Sequence, residues 1–227
     1  MPGYKKLADA CNPRGCLVFA QLTHPGREMA LASDGSRPVA YAPSAVPNER
    51  FHVMPRALPN ELISEITDGF EQSAAHLRQA GLDGVELVAS HGYLLGQFLN
   101  PNVNLRSDGY GKTFEGRLRL LKEAIEATRR GAGDDMIIGL RLSGDEKEYA
   151  GMGLDRVLEI CSALDGVSDL DYFNITARTS AGFAGSTHII PSMAYELGYN
   201  APISASIKTR VSKPVFVAVR LNQPPIH

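Results

Sequence analysis

The chain has little of what several function classes require. It carries no basic excess: 23 Lys and Arg stand against 25 Asp and Glu, giving a formal net charge of -2 and a pI near 6.3. The Lys and Arg residues are also spread along the chain, so the electrostatic footprint of a nucleic-acid partner is missing. No apolar run approaches the roughly 20 residues that span a bilayer. Met1-Pro2-Gly3-Tyr4-Lys5-Lys6 opens the chain with no signal-peptide core behind it, so no membrane partner and a cytoplasmic location are expected. Only three cysteines occur, Cys11, Cys16 and Cys161. They cannot all pair and show no C-x-x-C spacing, which speaks against a disulfide framework and against a zinc or iron-sulfur site. Free buried thiols are expected instead. The glycine-rich segment 180–187 lacks the lysine and the helix-opening signal of a P-loop, and reads as a flexible loop.

What is present is alternation. A chain of 227 residues, 44% hydrophobic, can bury a sizeable core, and residues 1–227 read as one domain. Runs rich in Val, Ile, Leu and Phe at 16–21, 84–88, 136–142, 172–176 and 214–218 predict strands. Between them lie helical periods. One runs from Asn60 to a stop at Gly81, with Leu62, Ile63, Ile66, Phe70, Ala74 and Leu77 on one face. A second starts near Phe114 and carries Leu118, Leu121, Ile125 and Thr128, with Arg129 and Arg130 where cations suit the helix dipole. A third covers 154–164. This order predicts an α/β fold of parallel strands with right-handed crossovers.

Polar residues decide between an open sheet and a barrel. Gln21 and His24, Ser90 and His91, Arg141, Thr176 and Arg178, and Arg220 sit at or just past the C-terminal ends of predicted strands. Barrel enzymes build their active sites on that face. A closed (β/α)8 TIM barrel needs about eight strands, so the five read here predict an incomplete one. The segment 32–58, rich in Pro, Ser and Ala, is too long for an ordinary connection and reads either as a functional loop over the barrel mouth or as a mobile insertion.

Several motifs carry a resemblance. Ala20-Gln21-Leu22-Thr23-His24-Pro25-Gly26-Arg27 resembles the Q-L-x-H-x-G-R segment of the old yellow enzyme and NADH:flavin oxidoreductase family. Gly81-Leu82-Asp83-Gly84-Val85-Glu86, His91-Gly92-Tyr93-Leu94, Gln97-Phe98-Leu99-Asn100-Pro101, Asn104-Leu105-Arg106, Asp108-Gly109-Tyr110-Gly111 and Glu115-Gly116-Arg117 follow the family's further motifs in order and spacing. The likeness continues through Gly139-Leu140-Arg141-Leu142-Ser143 to Arg220, and H-G-Y-L-x-x-Q-F-L leans toward the branch of trimethylamine dehydrogenase, 2,4-dienoyl-CoA reductase and N-methylproline-type demethylases. It implies a (β/α)8 barrel, FMN as cofactor, NADH or NADPH as electron donor, and a small-molecule substrate that is reduced at an alkene or oxidatively N-demethylated. Family members carry a further N-terminal strand and a final strand with no match here, so the resemblance implies a fragment lacking both barrel ends.

The same resemblance assigns roles that the chemistry of each residue supports. Arg141 would stabilise negative charge on reduced flavin, and Gln21 would read the pyrimidine edge as donor and acceptor together. Arg220 matches a phosphate-binding arginine, although Val219 replaces the glycine before it and opposes close backbone approach. His91 and Tyr93 are the catalytic candidates: an imidazole to hold a polar substrate group and a phenol to pass a proton. The amine dehydrogenases have a tyrosine three residues before this histidine; Val88 stands there instead. His24 and Arg27 read as braces, and His188 as structural. Asn104, Arg106, Asp108, Glu115 and Arg117 read as a network pinning the loop after His91. The alternative is an inactive barrel fragment with weak or no FMN binding, held together as a homo-oligomer because its edge strands would be bare. A barrel isomerase acting on a sugar phosphate fits the fold but not the set Gln21, His91 and Arg141.

Overall fold

A computed structural model describes residues 1–29, 32–36 and 38–221. Seven strands occur among them: β1 (Phe19–Leu22), β2 (Tyr41–Ala42), β3 (Arg56–Ala57), β4 (Gly84–Ala89), β5 (Ile137–Ser143), β6 (Tyr172–Thr176) and β7 (Val215–Val217). The helices are α1 (Pro2–Cys11), α2 (Asn60–Gln79), α3 (Leu94–Leu99), α4 (Phe114–Ala132), α5 (Leu154–Asp165), α6 (Phe183–Ile189) and α7 (Ala201–Lys208). Strands β1, β4, β5, β6 and β7 form one sheet in that order, and every pairing is parallel. The fold is α/β, as the alternation of periods predicts.

Helix signals in the sequence do their expected work. Thr113 caps α4 by accepting a hydrogen bond from Gly116 N at 3.0 Å, and Gly133 leaves the helix with φ +68°. The predicted face of α4 is buried, with Leu121, Ile125 and Thr128 fully so. On α2, Ile63, Phe70, Ala74 and Leu77 are buried, and Leu62 and Ile66 pack at the margin of the same core. The two helices meet closely at Gly131, where a Cβ would lie 2.0 Å from Glu71 O. Only glycine fits there.

Strands have two different faces. Leu140 and Leu142 of β5 and Phe173 and Ile175 of β6 point to the helix layer and are buried. The other face carries Phe19, Gln21, Glu86, Arg141, Tyr172, Asn174 and Phe216, and its two edge strands leave Phe19 38% and Phe216 56% exposed. Aromatic rings lie across glycines on that face. A Cβ on Gly139 would meet the Tyr172 ring at 2.0 Å, so the tyrosine of β6 crosses β5 to reach β4.

Three sequence expectations need correction. The first strand starts at Phe19, because Val18 bonds through both its N and its O to Asp83 in the turn before β4 instead of to a strand. Residues 183–189 form helix α6, with Gly182 at its N-cap and Gly185 so close to Thr179 O that a Cβ would lie 2.4 Å away. The glycines there serve close packing rather than flexibility. Of the three free cysteines only Cys161 is buried; Cys16 is exposed and Cys11 intermediate.

The long segment before α2 is tied down. Strands β2 and β3 pair with each other, Arg27 Nη1 donates to Val46 O and Pro47 O, Ser44 Oγ accepts from Leu105 N, and Glu49 N and Arg50 N donate to Ala181 O. These bonds draw it over the C-terminal ends of the strands. Arg37, and Ala30 and Leu31 just before the segment, lie outside the described residues.

Candidate functional site

A carboxylate organises the inner face of the sheet. Glu86, in the middle of the otherwise apolar strand Gly84–Ala89, is 5% exposed. It accepts hydrogen bonds from Gln21 Nε2 at 2.7 Å, Tyr172 Oη at 2.9 Å and Asn174 Nδ2 at 2.9 Å, and Arg141 Nη1 stands 3.9 Å away. Two residues expected at a flavin, Gln21 and Arg141, thus meet at one anion. Burial, and then the Glu86 charge, raise the pKa of the Tyr172 phenol, which stays a donor. Reading motifs alone passed over Glu86 as part of a family run; a charge inside a buried strand was the available signal.

His91 follows β4 in a left-handed turn, with φ +59° and Gly92 next at φ +80°. Its backbone is fixed from three sides: N donates to Ser143 Oγ at 3.0 Å, and O accepts from Ser180 N at 3.0 Å and Ser180 Oγ at 2.6 Å. Burial, reinforced by the Arg141 charge, pushes the imidazole down to about 4, so the ring is a neutral base at physiological pH. Its Nδ1 is buried without a partner. Tyr93 caps α3, and its ring meets that of His91 edge-on at 6.4 Å.

Arg220 stands apart from these residues. Its Nη1 donates to Ser192 O at 2.5 Å, its carbonyl accepts from Gly198 N, and its Nε is buried without a partner. Val219 before it has φ +97°, in the region that favours glycine. The replacement of the expected glycine has changed the side chain but not the backbone demand.

Other expected braces are in place. His24 Nδ1 accepts from Gly26 N, and its carbonyl accepts from Leu94 N. Arg106 bonds Asp108, Leu58 O and Asn60 Oδ1, while Asn104 Nδ2 reaches Phe98 O and Tyr110 O. Arg117 does not join this network: its Nε is buried without a partner, and Glu115 acts on it only through space. His188 makes a local bond to Ala184 O and stacks edge-on with Tyr195.

A second polar region lies among the loops. A cavity of about 180 Å³ is lined by Arg27, Gln97, Asn100, Glu146 and Glu148 among others. Burial pushes the Glu146 carboxyl up to about 7, and does the same to Glu28 beside it. Sequence reading missed both, because neither lies in a motif and burial is set by distant loops.

Buried polar atoms are normally paired. Ser90 Oγ, His91 Nδ1, Thr176 Oγ1, Arg178 Nε and Arg220 Nε are not, and all five sit at the C-terminal ends of β4, β6 and β7. This face therefore fits a polar ligand. Gln21, Arg141 and Arg220 suit FMN in chemistry: an amide for the pyrimidine edge, and guanidiniums for the reduced ring and the phosphate. Among the described residues there is no group of three or more His, Cys, Asp or Glu that could hold a metal, and no helix long and apolar enough to cross a membrane.

Known proteins share the sequence and the fold of this chain. The chain is 32% identical over 225 residues to an N,N-dimethylglycine/sarcosine dehydrogenase of Chromohalobacter salexigens, covering 99% of this chain and 32% of that protein. It is 35% identical over 229 residues to an NADH oxidase of Thermoanaerobacter brockii, covering 99% of this chain and 34% of that one. The chain therefore spans about a third of the length of these relatives. Among solved structures it resembles a 2-naphthoyl-CoA reductase with TM-score 0.85 and 27% identity, covering 98% of this chain and 35% of that one. A histamine dehydrogenase of Rhizobium sp. 4-9 gives TM-score 0.81 and 28% identity, covering 95% and 31%. The parallel sheet is thus part of the TIM barrel of these flavoenzymes. Residues 1–175 match the NADH:flavin oxidoreductase / NADH oxidase family, and the chain belongs to it.

Proposed function

We propose that residues 1–227 form a partial FMN domain whose parent protein moves a hydride between flavin and a small substrate. The observation that carries this reading is the meeting of Gln21 and Arg141 at Glu86, on the strand that His91 follows. Bound FMN would supply the two-electron chemistry. Glu86 takes the Gln21 Nε2–H and so leaves Oε1 as the acceptor offered to the pyrimidine edge, while Arg141 offers positive charge beside it. Arg220 would hold the phosphate.

On the substrate side, His91 is a neutral imidazole that can donate one hydrogen bond and accept another. It orients a carbonyl, carboxylate or amine, and Tyr93 gives or takes the proton that accompanies hydride transfer. NADH or NADPH is the electron donor if the reaction is an alkene reduction. Oxidative N-demethylation runs the hydride the other way. Both reaction types occur in the printed names of relatives, among them a multifunctional alkene reductase/demethylase of Caballeronia cordobensis and a probable N-methylproline demethylase of Rhizobium meliloti.

A second reading has its own observation. Phe19 and Phe216 are exposed on the two edge strands, and Val219 holds a strained φ at the phosphate position. On this reading the chain by itself is an inactive fragment with weak flavin binding, its edges covered in a homo-oligomer. The visible spectrum of purified chain, after adding FMN and removing the excess, separates the two. A retained flavin band that Arg141→Ala lowers at least tenfold supports the flavin site; a colourless wild-type protein favours the second reading.

A further inference from the structure

Arg178 is a buried cation with no counter-ion among the described residues. It lies two residues past the end of β6, is 9% exposed, and its Nε is buried without a hydrogen-bond partner. Among the described residues its guanidinium makes no hydrogen bond and no ion pair within 4.0 Å. An Nε–H that has left water is costly to bury unless an acceptor replaces that water, while the two terminal nitrogens of the fork remain open to a ligand. Among the described residues no acceptor does so.

The backbone holds this arrangement deliberately open. Arg178 has φ +70°, where a side chain is strained, yet its N donates to Asp145 O at 3.0 Å and its carbonyl accepts from Ser143 Oγ at 2.6 Å. That same Ser143 hydroxyl accepts from His91 N, and Ser180, two residues on, grips the His91 carbonyl. Arg178 and His91 therefore share one rigid corner. Beyond it stand the Tyr199 phenol, which feels the Arg178 charge and donates to His188 O, and Arg220 at the neighbouring strand end, whose carbonyl accepts from Gly198 N.

We propose that Arg178 is an oxyanion-binding residue of the strand-end face: its planar fork takes a carboxylate or phosphate group of a molecule seated beside His91. This rests on the strand-end face being the ligand site. The oxyanion has two sources, the carboxylate of an acidic substrate or the phosphate of the flavin, and the chemistry of the contact is the same for both.

The test uses the whole chain, labelled with 15N-arginine, and reads the Arg178 Nε–H resonance, identified by its loss in Arg178→Gly. That variant suits φ +70° and is expected to fold at least as stably as the parent, so loss of binding is not loss of fold. Titration with acetate and with inorganic phosphate should shift the Arg178 signal saturably. An unmoved signal with both anions overturns the proposal. A parallel titration with FMN and with riboflavin assigns the source. If Arg178→Gly weakens FMN at least tenfold and leaves riboflavin unchanged, the flavin phosphate is the occupant. If the variant binds both flavins as the parent does, and acetate still shifts the parent's Arg178 signal with FMN already bound, the occupant is a substrate carboxylate. A chain that binds neither flavin but still shows the saturable Arg178 shift overturns the flavin reading and keeps this one.

Discussion

His91 at the strand ends and Glu146 in the loop cavity are both buried, and burial moves them in opposite directions. The imidazole is pushed down to about 4, while the carboxyls of Glu146 and neighbouring Glu28 are pushed up to about 7. In each case the charged form is the one that burial penalises. The neighbours then differ. Arg141 adds to the effect on His91, whereas Arg27 opposes the effect on Glu28 and Glu146 without cancelling it. Near neutral pH the strand ends therefore present a neutral base among cations, and the loop cavity holds carboxyls close to their titration midpoint.

The largest expected effect comes from the anion that joins the inner face. Glu86→Ala leaves Gln21, Tyr172 and Asn174 without their acceptor and Arg141 without its nearest anion, and should destabilise the fold by about 3 kcal/mol in urea unfolding. Glu86→Gln keeps the shape and should recover part of the loss. Equal stability of all three proteins would remove Glu86 from its organising position.

Next come the two pH limbs. His91 has a folded value near 4 against an ordinary 6.5, so the unfolded chain binds the proton first. Stability is then fully present above pH 6.5 and is lost as pH falls through 4, on the order of 3 kcal/mol. His91→Asn should flatten that acid limb. For Glu28 and Glu146 the sign reverses: folded values near 7 against an ordinary 4.5 mean stability that is fully present below pH 4.5 and is lost as pH rises through 7. Glu146→Gln should remove about half of that loss, with Glu28 carrying the rest, and leave the His91 contribution unchanged. The two contributions run in opposite directions over nearly the same range, so chemical denaturation at intervals from pH 4 to 8 reads each as the difference between variant and parent, and a difference of the wrong sign would break the comparison between the two regions.

The smallest effect concerns the phosphate end. Val219→Gly relieves φ +97° and should raise stability by about 1 kcal/mol, seen as a higher midpoint in thermal unfolding, while tightening FMN retention. A lower midpoint would mean that the valine side chain contributes packing there that outweighs its strain.

Much of the fold is legible in the chain because its signals are local. The period of α2 and α4, the threonine cap and the glycine exit of α4 all act within a few residues. Strand positions follow from apolar runs, and the polar residues just beyond them point to the C-terminal face. The site is less legible. Gln21 and Arg141 can be named from motifs, but their meeting at Glu86 joins residues 65 and 55 positions apart, and Tyr172 arrives from 86 positions away across Gly139. The glycines of 182–185 read as a loop because only packing against Thr179 makes them the start of a helix.

By itself, then, the sequence determined the alternation of strands and helices, the face that would carry polar chemistry and the family to which the chain belongs, since each rests on short-range period or on motif order. Tertiary structure alone decided which carboxylate binds Gln21 and Arg141, that His91 is a neutral base while Glu28 and Glu146 titrate late, and that Arg178 is buried with no anion beside it among the described residues. Desolvation and charge depend on what surrounds an atom in space, and for these residues the surroundings come from strands and loops far along the chain.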